Sequence, residues 1–435
     1  MFTPLYTAEE MRAAEEGHDV DAMMERAGRA VADAVLRRYP EARRIGAVCG
    51  KGANGGDGRI ALRLLAEAGR ETSEGVDGAD VVIDALFGTG FHGVPRDDAA
   101  RLIEDMIRTA APVVAVDVPS GVDASTGEIA GPAVVAAVTV TMHAPKVGLA
   151  VAPGRFHAGE VEVADIGIAP GTTKHGLVTE GILELVPRKH ARDTKYSAGS
   201  VLVVGGSPGM SGAVCLAAEA AFRADAGYVT VATHRETLPV VEARLLEAVK
   251  APLDEVDLLA QRASAVALGP GLGRGDDERA LVERLLRELD VPVVADADAL
   301  FGLEPADWPA PRVLTPHSGE LARLLKREDV DEHRLDAVQA AAERFGCVVL
   351  LKGADTLVAA PGEGVLVSGS GTPALATAGT GDVLTGIVAA FLAKGVDARL
   401  AAAAAAFAHG RAAELGPERG LLASDLIEAL PDVLA

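Results

Sequence analysis

Cysteine is nearly absent: Cys49, Cys215 and Cys347 lie far apart, in or near apolar runs, with no C-x-x-C spacing. Neither a disulfide framework nor a zinc site is indicated, and a reducing, cytoplasmic setting is expected. Positive charge is also short, with 41 Lys plus Arg against 63 Asp plus Glu and a formal net charge of -22. A nucleic-acid backbone or an anionic membrane is therefore not an expected partner, and an anionic ligand must be drawn by local dipoles. Long apolar runs are missing as well. Residues 1–16 are polar and acidic without the apolar core of a secretion signal, so neither export nor membrane spanning is expected. Aromatic residues are only 3%, yet hydrophobic residues reach 49% beside 49 glycines, which describes a well-buried α/β protein rather than a disordered one.

The length exceeds one ordinary core and favours two or three domains. Thr7, followed three residues later by Glu10, has capping-box spacing. Val20, Met23, Met24, Ala27, Val31 and Val35 then recur at helical period, which predicts two opening helices with the methionines in the core. Short apolar runs at 45–49, 81–83, 113–116, 138–140 and 161–164 each end in turn residues and are continuous, as buried parallel strands are. The segment 69–78 carries no strand pattern. Between 168 and 199 prolines and charges interrupt every period, placing a boundary near residue 175 and predicting domains 1–175 and 176–435. Strand and helix patterns then alternate again at 201–204, 228–232, 265–268, 291–295, 313–314 and 348–351, with a hairpin across 358–367.

The most informative stretch is Gly379-Thr380-Gly381-Asp382, which opens an apolar helix. Three successive amides at a helix start, with the aligned peptide dipoles behind them, can hold a phosphate without a lysine. A carboxylate repels phosphate, so Asp382 is expected to face a second substrate and take a proton from an attacking hydroxyl. Taken alone, the tetrapeptide reads equally well as a plain helix N-terminus.

Residues 50–55, G-K-G-A-N-G, match the dinucleotide fingerprint G-x-G-x-x-G, but the second strand that would bring an acidic residue to the ribose has no counterpart. Three strand ends instead carry oxygen ligands toward one edge: Asn54, then Asp84, then Asp117 with Ser120. One carboxylate with neutral oxygens suits a hard, weakly held cation better than zinc; ordinary helix-capping turns are the plain alternative.

G-K-G-A-N-G-G-D-G at 50–58, D-A-L-F-G-T-G at 84–90, D-V-P-S-G at 117–121 and A-P-K at 144–146 resemble the NAD(P)H-hydrate epimerase (YjeF N-terminal) domain over residues 1 to about 170. The resemblance implies potassium ligands at Asn54, Asp84 and Ser120. It implies hydrate contacts at Ala53, Asn54, Gly55, Gly56 and Asp57, at Gly88, Thr89, Gly90, Phe91, His92, Gly93 and Val94, and at Asp117, the acid/base. Ala53 departs from the family, which has a second asparagine there. Gly205-Gly206-Ser207 with Ser211-Gly212-Ala213, then G-P-G-L-G at 269–273, Thr315-Pro316-His317 with Glu320, Lys352-Gly353-Ala354-Asp355, and the G-T-G-D turn resemble ribokinase-like ADP/ATP-dependent NAD(P)H-hydrate dehydratases over about 177–430. That likeness implies a hydrate site at Ala213, Gly271, Gly273, His317 and Asp382. It implies a nucleotide site at Lys352, Gly353, Ala354, Asp355, Thr356, Gly379, Thr380 and Gly381, for ADP or ATP with Mg2+.

The expected architecture is thus α/β in two domains, an N-terminal Rossmann-like three-layer sandwich and a C-terminal ribokinase-like doubly wound sheet, forming a homo-oligomer. The expected activity is repair of hydrated NADH and NADPH: epimerisation of the R and S hydrates, then nucleotide-dependent dehydration of the S form. His317 also reads as a helix cap, Lys352 as a solvated strand-end charge, and Asp296 as polar core or a substrate-side residue, outside the candidate set. Two other readings stay open, a small-molecule kinase with an accessory domain and a non-catalytic binding role for the first half.

Overall fold

The computed structural model describes all 435 residues and divides into two compact units, Pro4–Gly176 with Asp331–Arg334, and Met1–Thr3 with Leu177–Val330 and Leu335–Ala435. No helix is long and apolar enough to cross a membrane.

The smaller unit is built on a six-stranded parallel sheet in the order Glu71–Glu74, Arg44–Cys49, Val81–Ala85, Val113–Val116, Val138–Met142, Glu160–Ala164. Strand side chains alternate between faces. Ile45, Ala47, Val81 and Ile83 therefore pack on one side with Ala27, Val31 and Leu65, from the helices Val20–Arg38 and Ala53–Glu67. Val48 and Val82 point the other way, to Ile103 and Met106 of the helix Asp97–Arg108. The opening helices form as expected, Thr7 and Glu10 completing a capping box at the first.

One expectation fails. Residues 71–74 do form a strand, paired with Arg44–Ala47 at the sheet edge. Its sequence, E-T-S-E, is held by backbone bonds alone and buries no side chain, so it carries no apolar signal. The chain then crosses to Val81 in six residues, lying against the intervening strand. A Cβ on Gly46 would sit 2.3 Å from Gly75 O, so only glycine admits this crossing. Gly75 N–H donates to Ala47 O, and the Asp80 carboxylate accepts from the Arg43 and Arg44 amides, fixing both ends.

The larger unit carries an eleven-stranded sheet. Seven strands run parallel in the order Val249–Pro252, Tyr228–Thr233, Ser200–Val204, Ala265–Leu268, Val293–Ala295, Arg312–Leu314, Val348–Leu351. The antiparallel hairpin Thr356–Ala359 and Leu366–Ser368 follows, as the sequence pattern predicts. His175–Val178 and Phe2–Leu5 complete the edge, where Thr179 N–H donates to Met1 O. The alanine run lies in the helix Ala398–Leu415, fully buried over most of its middle. Small residues let helices approach closely: a Cβ on Gly386 would meet Ala217 O at 2.2 Å, where Thr380–Ala393 crosses Ser211–Arg223.

Candidate active sites

In the smaller unit the C-terminal ends of the parallel strands border a cavity of about 970 Å³. Sharp turns bring the chain there: a Cβ on Gly50 would stand 2.1 Å from Leu86 O, and one on Gly55 2.0 Å from Gly50 O. Asn54, Asp84 and Ser120 converge beside it. Ser120 donates to Asp84 through its amide at 2.7 Å and its hydroxyl at 2.6 Å, its Oγ accepts from Phe87 N–H, and Asn54 Nδ2 donates to Phe87 O at 2.8 Å. Asp84 is wholly buried, and burial pushes its carboxyl up to about 6 against the opposing Ser120 and Leu86 hydrogen bonds. No side-chain cation stands among its partners, so its donors are one carboxylate and neutral oxygens, a set that fits a monovalent ion.

Across the cavity Asp117 adopts a left-handed backbone, φ 67°. Its Oδ1 accepts from Lys146 Nζ, Thr141 Oγ1 and the Met142 amide. Lys146 is fully buried, and Tyr6 pins its segment through backbone bonds to Pro145 and Val147. Asp57, on the helix Ala53–Glu67, is buried and its Oδ1 has no hydrogen-bond partner. Burial, reinforced by the charges of Asp117 and Glu15, pushes the Asp57 carboxyl up to about 8. Glu15 is raised as well, by burial and then by Asp117.

Ala53, Asn54, Asp57, Gly88, Thr89, Gly90, Phe91, His92 and Asp117 line the cavity, whereas Gly55, Gly56, Gly93 and Val94 stand back from it. Phe87 and Phe91 stack at 4.5 Å on its rim. Met23 and Met24 also reach the cavity, although Met23 packs partly buried against the core as its helical spacing suggests. Glu15 and Lys146 were not among the candidates: a buried charge leaves no local pattern, although the A-P-K motif marks Lys146.

In the larger unit the strand ends again meet at one edge. Gly379, left-handed at φ 92°, starts the helix Thr380–Ala393. Of the Gly379, Thr380 and Gly381 amides expected at this turn, the Thr380 N–H is taken by Thr377 O, whereas the Gly381 and Asp382 amides have no partner earlier in the helix. Thr380 itself is a structural anchor. Its hydroxyl bonds Leu375 O and Thr377 O, and its carbonyl meets His409 Nε2 at 2.9 Å. Burial pushes His409 down to about 4, so the ring is neutral and donates that proton.

Lys352 ends its strand beside this turn: a Cβ on Gly381 would lie 3.5 Å from Lys352 Nζ. Asp296, fully buried, holds Lys352 through Oδ1 at 2.7 Å and Thr385 Oγ1 through Oδ2 at 2.7 Å. Burial alone would push Lys352 down, but Asp296, Glu320 and Asp382 outweigh it and raise it. Asp382 is half-buried, and desolvation, then the Asp296 charge, lifts it to about 7 despite the opposing pull of Lys352. Asp296 thus stands at the site, the second of the two readings, polar core or substrate side, that the sequence leaves open.

His317 caps the helix Ser318–Leu325 through Nδ1, and its backbone bridges to Lys352. Its ring remains more than half exposed. Gly271, at φ 61°, approaches Ala213, while the Gly273 amide donates to Asp298 Oδ2 at 3.0 Å. The helix bearing Ala213 meets the G-T-G-D turn through Leu216, 2.7 Å from a Cβ placed on Gly379. Gly353, Ala354 and Asp355 form the turn after Lys352, with Asp355 fully buried, and Thr356 opens the next strand.

Two family models match the chain: "NAD(P)H-hydrate dehydratase" over residues 201–432, and "YjeF-related protein N-terminus" over 20–73 and 69–148. A bifunctional NAD(P)H-hydrate repair enzyme of Pyrobaculum aerophilum is 39% identical over 472 residues, covering 95% of this chain and 93% of its own. One from Coxiella burnetii is 37% identical over 485 residues, covering 98% and 99%. Among solved structures, the ADP/ATP-dependent NAD(P)H-hydrate dehydratase of Bacillus subtilis, co-crystallised with ATP and Mg2+, superposes with a TM-score of 0.55 at 30% identity. It covers 59% of this chain and 96% of its own.

Proposed function

Because the chain belongs to the family of bifunctional NAD(P)H-hydrate repair enzymes, an epimerase unit joined to a dehydratase unit, we propose which of its residues restore hydrated NADH and NADPH. In the hydrate a hydroxyl sits on C6 of the reduced ring, and hydroxide is a poor leaving group. In the larger unit Asp382 takes the proton of that hydroxyl while the Gly381 and Asp382 amides and Lys352 stabilise the phosphoryl group arriving from the nucleotide. The ring nitrogen's lone pair then expels phosphate to leave a C6=N1 iminium, and loss of a C5 proton to solvent returns the π pair to nitrogen and restores the C5–C6 double bond. A kinase-like fold so completes a dehydration.

The observation that carries this reading is Asp382 itself, a carboxyl lifted to about 7 at a helix start beside a half-buried lysine. A general base with that value is poised for neutral pH. ADP is the preferred donor in this proposal and ATP the alternative; Mg2+ accompanies either and neutralises phosphate charge. Ala213, Gly271, Gly273 and His317 line the hydrate side of the site.

In the smaller unit Asp117 exchanges protons with the C6 hydroxyl while the ring nitrogen opens the carbon–oxygen bond, so that water can return from either face. Asn54, Asp84 and Ser120 are proposed to hold a potassium ion, which supplies positive charge for ordering the loop 88–94 and a substrate phosphate.

Mixed R and S hydrate, incubated with full-length protein and ADP or ATP, should regain half its dihydronicotinamide absorbance quickly and the remainder as the R form is converted. Asp382→Asn should bind nucleotide yet lose about 10² to 10⁴ in turnover. Asp117→Ala should still restore the S hydrate but stall on the R form. A stable phosphoester product would instead favour the small-molecule kinase reading, and turnover of Asp382→Asn at the wild-type rate would remove that base from the mechanism.

A further inference from the structure

The cavity of the smaller unit holds more acid than one acid/base residue requires. Asp57, Asp117 and Glu15 all border it, and Lys146 is committed to one oxygen of Asp117. The two aspartates differ in surroundings. Asp117 turns Oδ1 toward three donors, and none of those bonds falls on Oδ2. Asp57 is as deeply buried, but its Oδ1 meets no donor, and the charged groups that act on it, Asp117 and Glu15, are both acidic. A carboxyl so placed keeps its proton, as paired acids with opposed environments do.

We propose that Asp57 is the proton donor of epimerisation, working with Asp117 as acceptor, so that the C6 hydroxyl leaves as water and water returns under the care of two carboxyl groups. This rests on the epimerase reading of the same cavity. As Asp57 gives its proton to the hydroxyl oxygen, the C6–O bond breaks and the lone pair of N1 forms a C6=N1 iminium. A water then bonds to C6, its surplus proton passes to Asp117 Oδ2, and the π pair returns to N1. One proton has moved from Asp57 to Asp117, and the reverse reaction, or exchange with water, resets the pair. Neither oxidant nor co-reactant is needed. Acid assistance of this kind is worth about 10² to 10⁴ in rate.

The test follows R to S interconversion by chromatography, with full-length protein and no nucleotide. An essential acid must hold its proton, so the wild-type rate should persist below about pH 8 and fall as pH rises through that value. Asp57→Asn should cut kcat by about 100-fold or more, leave KM within a few-fold, and abolish the alkaline limb. Asp57→Glu should recover part of the rate and the limb with it. If Asp57→Asn does not fold, Asp57→Glu decides, since a folded glutamate variant without the limb overturns the proposal. Asp57→Asn with wild-type kcat, or with the limb unchanged, overturns it as well. Wild-type protein and the folded Asp57 variant, run side by side in ¹⁸O-labelled water, separate the two levels. No interconversion above the buffer rate removes the epimerase reading itself, whereas label entering C6 at a rate indifferent to Asp57 removes only the present assignment.

Discussion

Replacing Lys352 by methionine gives the sharpest test of the charge arrangement around Asp382. Lys352 Nζ pulls the carboxyl down, while burial and Asp296 push it up to about 7. A neighbouring opposite charge lowers a carboxyl by about one to three pKa units. Asp382 is only half-buried, so solvent screens part of this and a rise of about one unit is expected. A base works when ionised, so activity grows as pH rises through its pKa, and the acidic limb of dehydration should move from near 7 toward 8. Single-turnover recovery of the S hydrate, at saturating nucleotide and stepped pH, measures it. The single variant leaves Asp296 buried without its cation, at a cost of about 3 to 5 kcal/mol, so the double variant with Asp296→Asn is the companion. There both a raising and a lowering charge are gone, and the limb should return near its original position. A limb that stays put in Lys352→Met, or moves to lower pH, would refute this account of Asp382.

Gly46→Ala should destabilise the smaller unit by about 1 to 3 kcal/mol, because the new methyl meets Gly75 O at 2.3 Å and backbone must yield; a urea midpoint shift worth under about 0.5 kcal/mol would show that the crossing has slack. Asp84→Asn should remove any potassium dependence of both the melting temperature and R to S interconversion, and a wild-type response to added potassium would take Asp84 out of the ion site. Ala53→Asn, at the exposed first position of its helix on the cavity, should quicken interconversion by restoring a polar contact, and an unchanged rate would make the departure neutral.

Much of this was legible in the sequence because buried parallel strands are continuous apolar runs, and their turn residues fall on one edge. Asn54, Asp84 and Ser120, and Lys352 beside Gly381, are therefore found where their motifs suggest. What escaped lacks an apolar imprint. The edge strand Glu71–Glu74 is held by backbone bonds and shows only polar side chains. Glu15 and Asp296 owe their character to burial and to neighbours distant in sequence, with 56 residues separating Asp296 from Lys352. The Thr380 amide expected to be free at the G-T-G-D turn is taken by Thr377, a local bond that no spacing rule discloses.

The strand Phe2–Leu5 is synthesised well before most of the sheet that receives it, since Met1–Thr3 belongs to the unit formed otherwise by residues beyond Gly176. Severing the molecule between Gly176 and Leu177 would therefore not yield two self-sufficient fragments. The downstream piece would lose both its outermost ribbon and part of the one beside it, baring Leu366–Ser368 as a raw edge open to pairing with other copies. A bulky fusion ahead of Met1 would press on the same seam, so a purification handle is better carried after Ala435.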